Sequence, residues 1–370
     1  MNARFTVSRA ALAPAIDFAA RVTDPKSVLP ILGHVIISAG GDHVRITGSN
    51  MMISGEVSIP ADVSSEGSLA ISGEQLAKIA KGLSAADIEF VGLDNFWVEV
   101  RAGRSQYKVA GLPPGDFPEL PNPETELLGK SVEWTSVHAP TFVALLQTVS
   151  PAMCADESRA NLHGTYFKGA DGRTDIVATD GHRLSKIATD APFPDCGTGV
   201  LLPRPGVLEI IRMLSGNDGD MEIGIGKRFV FFRSQNRSLS VQVSNTQFPP
   251  YGQVIPKVRR DEFEVSSESI LRGLRSVQLL SNKSANIVTL TLRSGSFTMT
   301  RDDPDRGVAE YDADIDYDGD EFAIRFNGDY LEDAVKGSGA DNVRIEFQGP
   351  LDPLVVKADD FVGVVMPMRQ

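Results

Sequence analysis

Phe5-Thr6-Val7-Ser8 runs into Ala10-Ala11-Leu12-Ala13-Pro14-Ala15-Ile16, a short strand followed by an amphipathic helix. The pattern returns twice, as Val132-Glu133-Trp134-Thr135 ahead of Phe142-Val143-Ala144-Leu145-Leu146 and as Phe263-Glu264-Val265-Ser266 ahead of Ile270-Leu271-Arg272-Gly273-Leu274. A second strand-then-helix pattern alternates with the first. Leu69-Ala70-Ile71-Ser72 precedes residues 75–83, Val200-Leu201-Leu202-Pro203 precedes 206–214, and Phe322-Ala323-Ile324-Arg325 precedes 330–335. The endings agree too: residues 104–110 close at Asp116-Phe117-Pro118, and 237–244 close at Gln247-Phe248-Pro249. Equivalents lie roughly 125 residues apart, the size of a whole domain and far beyond a solenoid repeat. The sequence therefore predicts three similar domains, at 1–122, 131–255 and 256–370. The Pro- and Gly-bearing stretches 112–124 and 248–256 read as linkers, because Pro lacks the donor a sheet interior needs.

The helix faces follow from spacing. Leu76, Ile79, Ala80 and Leu83 fall on one face while Glu74, Lys78 and Lys81 share another, and Ser72 with Gln75 fits a capping box. Ile270, Leu274 and Val277 form a buried stripe with Arg272 and Arg275 opposite. The remaining sequence consists of short alternating runs broken by Gly, Asn and Asp, as antiparallel hairpins require. The expected class is α+β, with each domain an antiparallel sheet carrying two helices on one face.

Across 370 residues, 36 Lys and Arg stand against 49 Asp and Glu, for a net charge of −13. That balance argues against gripping nucleic acid through an ordinary basic face. Arg4, Arg9, Asp17 and Arg21 interrupt the opening stretch, which lacks the unbroken apolar run expected of a signal peptide, and no later run is long enough to span a bilayer. The expectation is a cytoplasmic protein with no membrane partner. Cys154 and Cys196 follow no metal or redox spacing and read as reduced thiols.

Val177-Ala178-Thr179-Asp180-Gly181-His182-Arg183-Leu184 is the most distinctive local stretch, and its Asp-Gly predicts a type I′ hairpin turn. Asp180 and His182 stand too close on a turn to orient each other as part of a hydrolytic triad, and no G-x-S-x-G elbow supplies a nucleophile. His34, His43, His138, His163 and His182 have no zinc spacing, and read as surface or satisfied core residues. The acidic runs at 302–305 and 312–321 lack a calcium-loop pattern, and no phosphate-binding loop is present. No catalytic residue, metal or cofactor is implied. Val364-Val365-Met366-Pro367-Met368-Arg369 has two readings, a final edge strand or one wall of an apolar peptide groove.

Several motifs taken together resemble the bacterial DNA polymerase III β subunit family of sliding clamps. They are Leu29-Pro30-Ile31-Leu32, Asp116-Phe117-Pro118, Asp156-Glu157-Ser158-Arg159 with Leu162, Val177 to Leu184, Pro203-Arg204 with Gly206-Val207, Phe248-Pro249 with Tyr251, Phe326-Asn327 with Tyr330, and Val365 to Arg369. The resemblance implies a head-to-tail homodimer, each chain giving half of a six-domain closed ring with twelve helices lining the hole. It implies duplex DNA as a topological, sequence-independent partner, and DNA polymerase III, other polymerases, a clamp loader and further clamp-binding-motif proteins as protein partners. Those proteins would dock in a groove between the second and third domains, formed by Leu162, Thr179, Gly181, His182, Arg183, Leu184, Pro249, Val254, Asn327, Tyr330, Val364, Met366, Pro367 and Met368.

Such a ring also accounts for the acidic composition, because topology can replace phosphate contacts that would retard sliding. The six expected helices sum to +2, leaving −15 elsewhere. Lys78, Lys81, Arg204, Arg212, Arg272 and Arg275 are the expected lining residues. The dimer contact is expected to join residues 104–110 of one chain to 297–301 of the other, near Tyr107, Leu279 and Leu280. The chain departs from the family pattern at Lys283, Ser284 and Asn286, at Ala160-Asn161, and at Gln253, positions that bear on ring stability and peptide choice. A specialised clamp paralogue, serving a repair polymerase or conferring inhibitor insensitivity, shares every one of these features. A β-rich hydrolase is disfavoured by the missing nucleophile elbow and metal spacing.

Overall fold

The computed structural model describes residues 3–127, 131–170, 172–257, 261–280 and 286–368. Lys283 and Ser284, with the rest of 281–285, and the terminal Arg369 and Gln370 lie outside the described residues. Six helices appear where the repeat places them: α1 Arg9–Arg21, α2 Gly73–Gly82, α3 Ala139–Val149, α4 Arg204–Leu214, α5 Ser267–Gln278 and α6 Gly328–Ser338. The starts of α1, α2, α5 and α6 are fixed by side-chain caps. Ser8, Ser72, Ser266 and Asn327 accept from the backbone N–H of Ala11, Gln75, Ser269 and Asp329, satisfying donors that a helix start leaves orphaned. Leu76 and Ala80 of α2, and Ile270, Leu274 and Val277 of α5, are buried, whereas Lys78, Lys81, Arg272 and Arg275 are exposed. Each Leu, Ile or Phe fully buried this way contributes about 1.5–3 kcal/mol against solvent exposure.

The chain packs as two compact units. The first comprises residues 1–140, 192–194 and 212–243, and the second 141–191, 195–211 and 244–370. In the first unit a five-stranded antiparallel sheet orders Asp62–Ser65, Arg4–Ser8, Asp87–Gly92, Val98–Ala102 and Ser105–Val109. Its second sheet has eight strands, Trp134–His138, Asp220–Ile225, Phe229–Ser234, Arg237–Gln242, Ile53–Pro60, His43–Ser49, His34–Gly40 and Gly67–Ser72. Helix α1 lies close on this sheet at Gly48, where a Cβ would come within 2.0 Å of the Ala19 carbonyl oxygen.

The second unit repeats the scheme. Its eight-stranded sheet orders Val200–Pro203, Gly164–Ala170, Arg173–Thr179, Arg183–Thr189, Phe361–Val365, Leu354–Ala358, Asn342–Phe347 and Asp261–Ser266. A four-stranded sheet orders Gly307–Asp314, Ser296–Asp303, Ile287–Arg293 and Phe322–Asn327.

This arrangement corrects three expectations. The sheets are not confined to single repeats: Ile53–Pro60 pairs with Arg237–Gln242, and Arg183–Thr189 pairs with Phe361–Val365. The final strand is therefore interior and not an edge, hydrogen-bonded on both sides. The strand containing Phe297 to Arg301 is also interior, paired with both Ile287–Arg293 and Gly307–Asp314, so its ladder has no side open to a partner chain. The terminal strands of that sheet are Gly307–Asp314 and Phe322–Asn327.

The stretches read as linkers are anchored by their aromatic residues. Phe117 and Leu112 pack on Ile31, Leu32, Ile36 and Ala70, and Phe248 packs with Val177, Leu184, Leu201 and Val364. The Phe-Pro endings shared by two repeats are hydrophobic pins, and the Leu-Pro-Ile-Leu motif supplies the first one's socket.

Candidate functional site

The loop after Arg173–Thr179 is built by its own side chains. Thr179 pairs with Leu184, so four residues lie between the last paired positions, and of the two central ones only Gly181 has positive φ, at 89°. The expected type I′ turn is thus replaced by a wider loop. Thr179 Oγ1 donates to the Arg183 carbonyl at 2.6 Å and accepts from the Gly181 N–H, while Asp180 Oδ1 accepts from the N–H groups of His182 and Arg183. Local side-chain bonds of this kind outcompete the tighter turn. Arg159 lies against the loop and donates to the Asp180 carbonyl at 2.8 Å, and a Cβ on Gly181 would stand 2.8 Å from its Nη2.

Most of the expected groove residues gather on this frame in the second unit. Arg183 pairs with Val365 and Leu184 with Val364 across the sheet, and Met366 N–H donates to the His182 carbonyl at 2.9 Å. Met368 N–H donates to the Arg325 carbonyl at 2.8 Å, so the tail from Met366 through Pro367 to Met368 is tied at both ends. Leu184 and Val364 are buried beneath the surface, and with Phe248 they form an apolar floor; Met366 and Met368 are partly exposed. Pro249 follows Phe248, and Val254, 41% exposed, closes the turn Tyr251–Gln253. Gln253, one of the departures, is an exposed member of that turn. Tyr251 hydroxyl donates to Asp175 at 2.7 Å, and burial followed by this bond pushes its pKa well above the phenol range.

Leu162 is buried and its N–H donates to the Arg159 carbonyl at 2.8 Å, which places it with the Arg159 turn; Ala160 and Asn161 occupy that same turn. Asn327 enters differently: its carboxamide caps α6, leaving Tyr330 as the ring that reaches the loop. The Arg183 guanidinium lies 4.3 Å from the Tyr330 ring centroid, donates to Asp180 at 3.1 Å, and also donates to Asp333 and to the Pro151 carbonyl. Burial raises the Tyr330 pKa, with Asp180 adding to the rise and Arg183 opposing it. Sequence reasoning missed Arg159 and Tyr251, although both sit inside quoted motifs, and Asp333, whose link to Arg183 spans 150 residues.

Chemically, this surface offers an apolar floor, adaptable thioethers and a few fixed polar groups, which suits a short apolar peptide. Asp180 turns to Arg183, and the His182 ring makes no hydrogen bond among the described residues, so the pair sets up no proton relay. No three His, Cys, Asp or Glu side chains among the described residues gather as metal ligands. No helix among them is long and apolar enough to cross a membrane. A cleft of about 510 Å³ in the first unit, lined by Ser54, Pro121, Trp134 and Arg233 among others, contains none of the expected groove residues.

The expected lining residues all lie on helices. Lys78 pairs with Glu74 at 2.5 Å and Lys81 with Asp17 at 3.8 Å, on exposed faces where such pairs add little stability. Arg272 pairs with Glu268, Arg275 donates to the Leu271 carbonyl, and Arg212 stands exposed near the end of α4. Arg204 differs, being half-buried and donating to the Met153 carbonyl at 3.2 Å. The acids of α6 are engaged within the chain: Asp329 accepts from Asn286 at 2.6 Å, Glu332 pairs with Lys336 at 2.6 Å, and Asp333 holds Arg183. Asn286 also accepts from Arg301 at 2.9 Å, so this departure serves an internal network. Tyr107 lies on the edge strand Ser105–Val109, Leu279 is 84% exposed after α5, and Leu280 is half-buried beside it.

Residues 3–121, 136–250 and 252–369 match, in order, the N-terminal, central and C-terminal domains of the DNA polymerase III beta subunit. The beta sliding clamp of Pseudomonas aeruginosa is 29% identical over 99% of both chains. The DNA polymerase sliding clamp of Bacillus subtilis superposes with a TM-score of 0.93 over 100% of both chains at 22% identity, which speaks to the fold. A sliding clamp from Bartonella birtlesii, solved bound to griselimycin, superposes with a TM-score of 0.91 over 100% of both chains at 25% identity.

Proposed function

The chain belongs to the DNA polymerase III beta subunit family, and from that premise we propose that it is a DNA sliding clamp, a non-catalytic cytoplasmic processivity factor. Two copies close head to tail around duplex DNA, and polymerases and other clamp-binding proteins dock short peptides into the groove of the second unit. The observation that carries this reading is the ordered succession of three beta-subunit domains along nearly the whole chain. Domains bounded at 1–122, 131–255 and 256–370 make each chain half of a six-domain ring, which a heterologous interface closes when the rotation is right.

Three features support the details. The apolar floor of Leu184, Val364 and Phe248, rimmed by Val254, Met366 and Met368, suits the Leu-rich peptide of a polymerase. Exposed cations on α2, α4 and α5 within an acidic chain favour DNA at the helices and disfavour it elsewhere. Two open strand edges, Ser105–Val109 and Gly307–Asp314, suit pairing between chains, with Tyr107, Leu279 and Leu280 packing beside them. The direct test is primer extension by the organism's own replicative polymerase with its clamp loader. The reading expects long products only when this protein is added; unchanged product length would count against it.

A further inference from the structure

All three nitrogens of the Arg183 guanidinium are engaged: Nε with Asp180 at 3.1 Å, Nη1 with Asp333 and Nη2 with the Pro151 carbonyl. One face of the group covers the Tyr330 ring. Asp180 cannot swing away freely, because it also accepts from the backbone N–H groups of His182 and Arg183. Asp333 reaches the same guanidinium from α6. Two carboxylates thus confront one cation, and the cation is largely shielded, with 15% of its side chain exposed. The neighbouring acid of α6, Asp329, is turned instead to Asn286 and Gln278.

We propose that Asp333 is a specificity-determining residue that acts through Arg183, making the groove discriminate against peptides that place a carboxylate beside that arginine. The inference rests on the peptide-groove reading above. A fork-shaped guanidinium with free N–H groups is among the strongest hooks for a carboxylate. Here three of the five N–H donors are held and two carboxylates already face the cation, so an incoming carboxylate must either crowd against Asp333 at the two remaining N–H groups or displace that acid and leave it unpaired beside it. Like charges brought together where solvent screening is incomplete are a repulsive element of specificity. A neutral side chain meets no such penalty.

The test uses a fluorescein-labelled peptide rich in Gln and Leu, with each internal position carrying in turn Asn or its isostere Asp. Affinities for the full-length protein are read by anisotropy. For the natural chain, Asp should bind about tenfold more weakly than Asn at one position. The gap should close in Asp333→Asn, which keeps an acceptor for Arg183 while removing the charge, and persist in Asp333→Glu. Asp333→Ser reports the same ratio should the Asn variant fail to fold. Binding of both peptides with a gap at no position, or with a gap that Asp333→Asn leaves unmoved, overturns this inference alone. Failure of every peptide to bind the natural chain overturns the groove reading and this inference with it.

Discussion

Replacing Arg183 by alanine strands two carboxylates and a carbonyl, and uncovers the Tyr330 ring. The loss should be about 2 kcal/mol, below the cost of breaking a fully buried pair because Asp333 is 36% exposed. His182→Ala removes an exposed ring and should stay within about 0.5 kcal/mol. Urea denaturation separates the two, and equal losses would contradict the assignment of Arg183 as the hub. A second residue carries a pH signature. Burial holds the His34 imidazole below its ordinary 6.5, opposed by its hydrogen bond to the Pro30 carbonyl. The unfolded chain therefore takes up that proton first, so stability should fall as pH drops below about 6.5 and level off once the folded ring also protonates. His34→Gln should flatten this slope between pH 7.5 and 5.5; an unchanged slope would assign it to other groups. The loop chemistry of Thr179 and Asp180 and the Asn327 cap are local, and so within reach of sequence. The Arg183–Asp333 pair was not, because nothing in local spacing joins residues on different repeats.

At the scale of elements, the strand-and-helix repeat was legible because periodicity and capping are local properties: the burial of Leu76, Ala80, Ile270 and Leu274 follows the spacing. Sheet order was less so. Which strand stands at an edge depends on pairings such as Ile187 with Phe361, remote in sequence. That is why local pattern alone does not separate the interior strand containing Phe297 to Arg301 from the terminal strand Gly307–Asp314 beside it. The corrected edge gives a prediction. Val308 is 63% exposed on it, and Leu279 is 84% exposed. The double change Val308→Asp and Leu279→Asp should yield folded monomers by analytical ultercentrifugation, since charge on an edge blocks strand pairing. A persistent dimer would place the interface elsewhere. The tail gives another prediction: deleting 366–370 removes the backbone bonds from Met366 and Met368 but leaves the interior strand Phe361–Val365 intact. Peptide binding should be lost, while stability falls by only about 1–3 kcal/mol. Normal binding by the truncated chain, or outright unfolding, would show that the tail serves the fold.

For the whole molecule, the net charge of −13 is the fact a DNA-handling role must accommodate. Encirclement does so, since a closed ring needs few phosphate contacts and gains mobility from their scarcity. The acids of α6 are engaged within the chain by bonds to Asn286, Lys336 and Arg183. The central claim is therefore topological, and the measurement that addresses it directly is retention on DNA before and after a single cut. Protein loaded onto a nicked circular plasmid is isolated by gel filtration in moderate salt, and half of the sample is then linearised with a restriction enzyme. Encirclement predicts that the protein elutes with the circle and is lost from the linear DNA. Equal retention on both forms would contradict it.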